Sequence, residues 1–326
     1  MTNTGKDKDS IIPANYSVAD RTGRAVDMFD GNRFVMASAT TNDFAWKRTN
    51  RQVKTDVRRD FGATIPWSLR AGAAIAQEKY RSNNRSETFS FRPGTPDDVR
   101  LAGNYGAVDP EYSQQVASFA GRKILWVSPG KMHALYRFNP EYFVRNETSY
   151  HTTQVNGSKE LTETVRAGYL RGDVKLLQNR LWLVAGARYE RTTDEGAGPL
   201  NDPSGPLLKD ARGNLVRNAA GQTIFLTNDL LERSRLQFKE RGARTERDYG
   251  GLYPSFNATY GITDTLLARA GYARTIGRPN TNFILPGVTY SAVTAVPQTI
   301  TVTNTGLKPW TGDNYDLSLE SYAIKG

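Results

Sequence analysis

The chain has 326 residues, of which 38% are hydrophobic, and its mean hydropathy is −0.57. No apolar run approaches the roughly 18 residues of a membrane-spanning helix, so the chain either stays in water or crosses a membrane as strands of about 10 residues each. The absence of cysteine excludes disulfides and thiolate chemistry, and two histidines do not predict a zinc site. We therefore expect no metal and no cofactor.

The formal net charge is +10 and the sequence pI is about 9.6. Lysines and arginines are scattered along the chain beside acidic residues, whereas nucleic-acid binding favours basic clusters with aromatics on one element. A solvated surface, or attraction to an anionic envelope surface or ligand, explains the surplus equally well. Because the basic residues are scattered, we expect no nucleic-acid partner. No GxSxG-like elbow presents a serine nucleophile, and we expect no catalytic residue and no enzymatic activity.

The N-terminal part of the chain predicts a polar start followed by strands. Residues 1–15 lack the apolar run of a secretory signal. Between residues 16 and 38, Asp30-Gly31 is a hairpin signal that predicts one or two strands. From residue 44, apolar and polar side chains alternate on both sides of a break at 62–66, which predicts a hairpin with one apolar face.

Residues 80–158 have no sustained period and are rich in Asn, Ser, Pro, Gly, Arg and aromatic residues. So long an irregular segment is unusual inside a compact soluble domain but common as an extracellular loop of an outer-membrane barrel. Short helices are expected at 110–121 and 140–150.

The next hairpin is predicted around Gln178-Asn179. Its second strand places five apolar side chains on one face, namely Leu181, Leu183, Ala185, Ala187 and Tyr189. The first strand fits less well, because Val165 and Ala167 have the wrong parity. A bulge near Gly168 or Gly172 would restore the register.

The last third of the chain predicts two more irregular segments and three strands. Residues 194–249 read as irregular, with a turn at 210–213. The hairpin 251–278 turns at Thr263-Asp264 and has an apolar, aromatic face and a polar, small-residue face. A loop at 279–313, with a short strand at 298–302, precedes a final strand at 314–324.

Tight and long connections therefore alternate strictly along the chain. An up-and-down barrel would collect the long loops 80–158, 194–249 and 279–313 on one side of a membrane and the tight turns on the other. The pattern predicts an all-β fold that is part of an antiparallel transmembrane β-barrel, with tight periplasmic turns and long extracellular loops. Tyr189 and Tyr272 then fall in the aromatic girdle nearest the long loops.

Several motifs in this order resemble the β-barrel part of TonB-dependent outer-membrane receptors. They are Tyr253-Pro254-Ser255 with Asn257, Arg269 to Tyr272, Ala273 to Pro279, Asn304 to Pro309, and Asp313 to Glu320. Arg278-Pro279 and Lys308-Pro309 are suited to the ends of strands, because proline has no N–H to donate to the hydrogen-bond ladder. The match is best at 164–326 and departs from the family at Thr305-Gly306 and Ser321.

The resemblance implies that residues 1–326 form a partial receptor barrel domain. Family barrels have about 22 strands, of which seven or eight are predicted here. Neither a plug domain, a TonB-contacting box nor a signal peptide is recognisable, so the chain is expected to be an internal fragment. The resemblance implies the outer membrane of a Gram-negative-type bacterium, contact with lipid and lipopolysaccharide, and TonB as a partner through the missing plug.

The implied function is ligand-gated, energy-coupled uptake of a siderophore, oligosaccharide or similar nutrient. Aromatics and arginines of the 80–158 loop are the ligand-binding candidates, as stacking and anion-pairing groups. The ligand-binding candidates are Arg85, Phe89, Phe91, Trp126, Tyr136, Tyr142 and Phe143, with Arg81, Arg92, Arg122 and Arg137 as further cations. The candidates for lumen positions facing the plug are Arg70, Arg188, Glu190, Arg269 and Glu320.

Other interpretations stay open at this point. The loop aromatics could form a small core of their own, with solvated arginines. A passive porin-like channel would conduct without a plug or TonB. A secreted β-rich carbohydrate-binding protein would need a cleft with paired carboxylates if it also hydrolysed sugars.

Overall fold

The computed structural model describes residues 2–3, 16–19, 22–27, 29–62, 64–116 and 123–322. The strands are β1 (Thr2–Asn3), β2 (Tyr16–Ala19), β3 (Ala25–Val26), β4 (Ser38–Thr40), β5 (Phe44–Phe61), β6 (Trp67–Asn84), β7 (Thr88–Phe91), β8 (Phe143–Arg145), β9 (Lys159–Leu176), β10 (Leu181–Asn201), β11 (Phe238–Thr263), β12 (Leu266–Gly277), β13 (Val288–Tyr290), β14 (Ile300–Val302) and β15 (Trp310–Ser321). The α-helices are α1 (Pro129–Phe138), α2 (Glu147–Gly157), α3 (Leu230–Gln237) and α4 (Thr281–Ile284). Short 3-10 helices lie at Gly31–Arg33, Ala102–Tyr105, Tyr112–Gln114 and Pro140–Tyr142.

The chain divides into two compact units. Unit 1 comprises residues 1–42 and 86–150, and unit 2 comprises residues 43–85 and 151–326. No helix in the described ranges has both the length and the apolar character to span a membrane.

Unit 2 is built on one long antiparallel sheet. Its seven main strands have the order β15-β12-β11-β10-β9-β6-β5, and the short β13 and β14 attach beyond β10. Within the described residues, β5 and β15 each pair with a single strand, so the seven strands do not close on one another. Short connections join β5 to β6, β9 to β10 and β11 to β12, and long connections at 85–158, 202–237 and 278–309 join the strands between them. Short and long connections therefore alternate, as predicted.

The register assigns every side chain of the sheet to one of two faces. Tyr189 pairs with Gly168 and Leu252, and Arg188 pairs with Tyr169 and Tyr253. We call the face that carries Tyr189 the apolar face and the other the polar face. Residues that lie opposite each other share a face, so this naming extends across the whole sheet.

The apolar face has an aliphatic band between two rows of aromatic rings. At the tight-turn end Phe61 stacks on Trp67, with ring centroids 3.8 Å apart. At the long-connection end Tyr272 pairs with Tyr315, and their ring centroids are 5.1 Å apart. Tyr189 also lies at this end of the aliphatic band. Leu317, in the band, is 87% exposed. This arrangement is typical of a barrel strand set whose apolar side chains face lipid.

The expected bulge at Gly168 or Gly172 is wrong. The register of β9 with β10 and with β6 is continuous, and both glycines simply occupy apolar-face positions. The register shifts lie instead between Gly198 and Leu200 and between Gly261 and Thr263.

The long connections are shorter than expected, because the strands continue into sequence that reads as irregular. β10 extends to Asn201 and β11 begins at Phe238, so most of 194–201 and 238–249 is paired strand rather than loop. Similarly β6 runs to Asn84 and β15 begins at Trp310. The predicted strand at 298–302 is present as the shorter β14.

Unit 1 contains two small sheets and one well-capped helix. β1, β2 and β3 form the first sheet, and β4, β7 and β8 form the second. α1 begins where the Ser128 side chain accepts from the Lys131 N–H and Pro129 fills the first turn. The sequence pattern did not predict this helix.

Two local predictions in unit 1 need correction. Asp30-Gly31 is not a hairpin turn, because the Asp30 carboxylate accepts from the Asn32 N–H and starts a 3-10 helix. The helix expected at 110–121 is only the 3-10 turn Tyr112–Gln114, and residues 117–121 lie outside the described residues. The segment 140–150 holds a 3-10 turn, the strand β8 and the start of α2.

Candidate functional site

The five lumen candidates all lie on the polar face of unit 2, as the register shows. Each belongs to a cross-strand or same-strand ion pair. Arg70 donates to Asp56 at 2.8 and 3.1 Å. Arg188 pairs with Glu190 at 2.9 Å, and Arg269 pairs with Glu320 at 3.1 Å.

A buried ionic cluster lies further along the polar face, towards the long-connection end. Asp194, only 2% exposed, pairs with Arg247 at 3.0 Å. Glu190 is bound by Arg278, whose guanidinium also lies 3.9 Å from Glu163. Buried charges of this kind persist in folded proteins when they are paired and hydrogen-bonded.

The cluster fixes part of the 278–309 connection against the polar face. Arg247 donates to the backbone carbonyls of Thr305 and Leu307, and the Thr245 hydroxyl donates to Thr305 at 3.1 Å. The connection therefore lies over the polar face at this level. Sequence reasoning missed Asp194 and Arg247, because it read their strands as loop; the alternation of acid and base at 244–248 was the available signal.

Phe89, Phe91 and Phe143 form the core of unit 1, together with Met36, Ala102 and Ala107. Phe91 is fully buried, and its ring meets Phe143 edge-on at a centroid distance of 5.1 Å. These contacts correspond to the small loop core that the sequence left open as an alternative. Ligand binding by these residues remains a prediction.

An apolar cleft of about 550 Å³ opens beside this core, in unit 1. One wall is the continuous run 34–41, which includes the edge strand β4, and the other is the face of α1 that carries Met132, His133 and Tyr136. Phe89 and Phe143 line it as well. The volume lies within the range of small-molecule sites, roughly 300–1,000 Å³.

The remaining ligand-binding candidates lie elsewhere. Trp126 is partly exposed and contacts Tyr112, with centroids 6.0 Å apart. Tyr142 packs under the Arg92 guanidinium at 4.7 Å. Arg85 belongs to unit 2, where its backbone N–H donates to Asp43. None of these three lines the cleft.

The additional arginines differ in whether an acidic or hydroxyl group binds the guanidinium. Arg81 is paired with Glu160 at 2.7 Å. The Arg92 guanidinium donates to the Tyr105 hydroxyl at 2.6 Å, which raises the pKa of Arg92 further above its usual range. Arg137 is exposed on α1, and Arg122 lies outside the described residues.

Asp109 of unit 1 has a structural role. The Tyr112 N–H, followed by that of Glu111, donates to Asp109 and lowers the pKa of that carboxyl. The carboxylate thus anchors the 3-10 turn Tyr112–Gln114. In the described part of the chain, no group of three or more His, Asp or Glu side chains is placed to hold a metal ion.

The sequence matches the family model described as TonB dependent receptor-like, beta-barrel, over residues 4–325. The chain belongs to this family. It is therefore part of a β-barrel receptor domain, in agreement with the sheet described above. No curated protein matches the chain.

Among solved structures, the chain is similar to the closed form of the ferric-catecholate import receptor Fiu from Escherichia coli K12. The identity is 13% and the TM-score is 0.42. The match covers 87% of this chain and 30% of Fiu, so the chain spans about a third of that receptor's length.

Proposed function

We propose that the chain is part of an outer-membrane receptor that takes up a small nutrient by ligand-gated, energy-coupled transport. The observation that carries the proposal is the division of one sheet into an exposed apolar face and an ion-paired polar face. A bilayer around the strands and a water-filled or plugged interior give both faces a suitable medium. From family membership we expect TonB to supply the energy for transport and a plug domain to act as the gate.

The polar face would line the interior. The ion pairs of Arg70, Arg188 and Arg269 with their carboxylates leave a surface of matched charge rather than one strong field. Such a surface suits reversible contact with a plug, because polar side chains can exchange partners when the plug moves. In this proposal the five lumen candidates contact the plug and perform no bond chemistry.

The cleft of unit 1 is the proposed capture site. Its aromatic walls, Phe89, Tyr136 and Phe143, can accept the flat face of an aromatic siderophore group or a sugar ring. Polar contacts come from His133 and from backbone groups of the 34–41 run. Of the predicted candidates, this leaves Phe91 as support beneath the site, and Trp126, Tyr142 and Arg85 outside it.

Uptake measurements in whole cells test the function. The full-length receptor would be the only receptor of its class in the strain, and the probes would be siderophores loaded with radioactive iron and labelled oligosaccharides. We expect saturable uptake of one probe class that disappears when TonB is removed. Uptake that persists without TonB would identify a passive channel and contradict the proposal.

A matched pair of variants tests the cleft. His133→Trp places a large ring in the cleft, whereas Ala134→Trp places the same ring on an exposed neighbouring position that does not line it. We expect His133→Trp to raise the half-saturation concentration at least about tenfold, equivalent to about 1.4 kcal/mol, and Ala134→Trp to leave it unchanged. Equal values for both variants would remove the cleft from the capture site.

A further inference from the structure

The cleft of unit 1 runs along the free edge of strand β4. Its wall includes all eight consecutive residues of the 34–41 run, of both strand parities. A cavity over one face of a strand would meet only every second residue, because successive side chains point to opposite faces. The cleft therefore lies beside the strand, where the main chain of β4 forms part of the wall. In the described part of the chain β4 pairs with β7 alone, so its other edge is open.

The hydrogen bonds of the run show which main-chain groups face the cleft. The Ala37 carbonyl accepts from the Phe91 N–H at 3.0 Å, so the odd-numbered residues direct their main-chain groups towards β7. In an antiparallel ladder the alternate residues direct their N–H and C=O groups to the opposite side. Those of Ser38 and Thr40 therefore face the cleft. Among the described residues, no hydrogen bond reaches these groups from that side.

The same edge already pairs with another segment further along. Residues 34–36 meet the segment 100–102 in antiparallel orientation. The Met36 N–H donates to the Arg100 carbonyl at 2.9 Å, and Met36 has the same parity as the two residues with free main-chain groups. The 100–102 segment therefore lies on the cleft side of the strand. It covers only the first part of the edge and leaves 37–41 open.

The open edge lacks the features that usually protect one. Exposed edges of native sheets commonly carry lysine, other charged residues or proline, which hinder pairing with a further strand. The run 37–41 is Ala-Ser-Ala-Thr-Thr and contains none of these. The opposite wall is apolar, with Met132 and Tyr136 of α1 packed against the core of unit 1. A further strand would find main-chain partners along β4 and apolar contacts on one of its faces.

We infer that the cleft binds an extended peptide backbone, which adds to β4 as a further strand beside Ser38 and Thr40. The transported nutrient then has a linear peptide backbone, in which every second side chain is apolar and contacts α1. Main-chain bonds supply the affinity, and the apolar contacts supply the selectivity. The inference rests on the proposed function, because it specifies the ligand of the proposed capture site.

Affinity selection with the full-length receptor in detergent tests the inference. The probe is a mixture of capped pentapeptides with varied side chains, and mass spectrometry identifies the members that the receptor retains. Ser38→Pro removes the N–H at the free edge and leaves the ladder with β7 intact, since proline is tolerated where the N–H faces away from the sheet. Ser38→Ala is the matched control, because it changes the same side chain and keeps the N–H.

We expect the parent receptor and Ser38→Ala to retain the same peptides, with apolar side chains at every second position. Ser38→Pro should bind them at least about tenfold more weakly. Retention of no peptide by the parent receptor, as expected if another part of the receptor covers the edge, would overturn the inference. Equal affinities of Ser38→Pro and Ser38→Ala would overturn it as well.

N-methylation of the best-retained peptide gives a second readout, which does not depend on the folding of a variant. In an added strand only alternate amides face β4. Methylation of one alternate set should therefore weaken binding to the parent receptor at least about tenfold, and methylation of the other set should leave it unchanged. Equal losses for the two sets would show that the peptide is not bound as a strand.

Uptake measurements separate this inference from the proposed function. TonB-dependent uptake of a nutrient without a peptide backbone, equal in the parent and Ser38→Pro and accompanied by no peptide retention, would overturn the peptide site and leave transport standing. Peptide retention without TonB-dependent uptake of the same labelled peptide would leave the binding site standing and contradict the transport proposal.

Discussion

The two compact units of the chain are organised in opposite ways. Unit 1 contains 12 lysines and arginines and 12 acidic residues, and it buries Phe91 completely in an aromatic core. Unit 2 carries the whole surplus of ten positive charges and leaves Leu317 87% exposed. Unit 1 therefore has the interior of a small water-soluble fold, whereas the sheet of unit 2 directs its apolar side chains outwards.

The ionic groups show the same inversion. In unit 1, Arg145 pairs with Glu87 and Glu147 at 2.7 Å in partly exposed positions. In unit 2, Asp194 and Glu190 are buried on the polar face and each has an arginine partner. Side-chain packing therefore supplies the buried core of unit 1, whereas unit 2 is built on backbone ladders and pairs its buried carboxylates with arginines.

The largest expected effect is the loss of the unit 1 core. Phe91→Ala removes a fully buried ring and should destabilise unit 1 by about 3–5 kcal/mol. Phe138→Ala removes a ring that is 83% exposed and should cost less than about 0.5 kcal/mol. Hydrogen exchange of the full-length receptor measures both.

For Phe91→Ala, peptides from residues 86–116 should lose protection while those from β9 and β10 keep it. If the two phenylalanine variants exchange alike, the division into a packed unit and a ladder-held unit is wrong.

The next largest effect is expected on the apolar face. Leu170→Arg places a charge within the apolar band on β9 and should destabilise the barrel in vesicles by about 2–4 kcal/mol. Thr162→Arg places the same charge on the same strand and face near the long-connection end, where the cost should be only about 0–1 kcal/mol. Urea titration of the full-length receptor in lipid vesicles gives both values. Similar costs at the two depths would argue against a lipid-facing band.

The smallest expected effect is a pH dependence at the edge of unit 2. The Nδ1 atom of His151 forms a hydrogen bond with the Ser234 hydroxyl at 2.9 Å. Burial lowers the pKa of His151 below 6.5, and the positive charge of Arg235 lowers it further. The Glu240 carboxylate acts in the opposite direction. Because the unfolded chain binds the proton more readily, the stabilisation is complete above pH 6.5 and is lost as the pH falls through the folded-state pKa.

Hydrogen exchange of α2 and α3, corrected for intrinsic rates, should therefore increase on acidification from about pH 7 to about pH 5. His151→Gln should abolish this dependence. A parent protein whose local exchange does not change over this interval would contradict the prediction.

The sequence predicts the strands best where they cross the apolar band. Between Leu181 and Tyr189, alternation of apolar and small or polar residues follows the pleat, so the faces and the tight turns could be placed. Beyond the band both faces are polar, as in 238–249, and the hydrophobic period disappears although the backbone ladder continues. Strand length outside the membrane cannot be predicted from a hydrophobic pattern for this reason.

The candidate sites were predicted unevenly for a similar physical reason. The count of aromatics in 80–158 indicated a packed or ligand-binding region, and Phe89, Tyr136 and Phe143 do line a cleft. The other wall, residues 34–41, comes from a distant segment held by bonds such as Met36 N–H to the Arg100 carbonyl. Long-range pairing of this kind leaves no local signal.

The central claim is that one face of the sheet contacts lipid and the other faces the interior. The chain itself contains no cysteine. With any cysteine elsewhere in the full-length receptor replaced, single cysteines at Leu183, Val184, Ala185, Ala187 and Arg188 of β10 can each carry one nitroxide label in membranes. Paramagnetic resonance then measures the exposure of each label to oxygen, which concentrates in the bilayer. We predict high oxygen exposure at positions 183, 185 and 187 and low exposure at 184 and 188. Equal exposure at all five positions, or the opposite alternation, would contradict a lipid-facing apolar face.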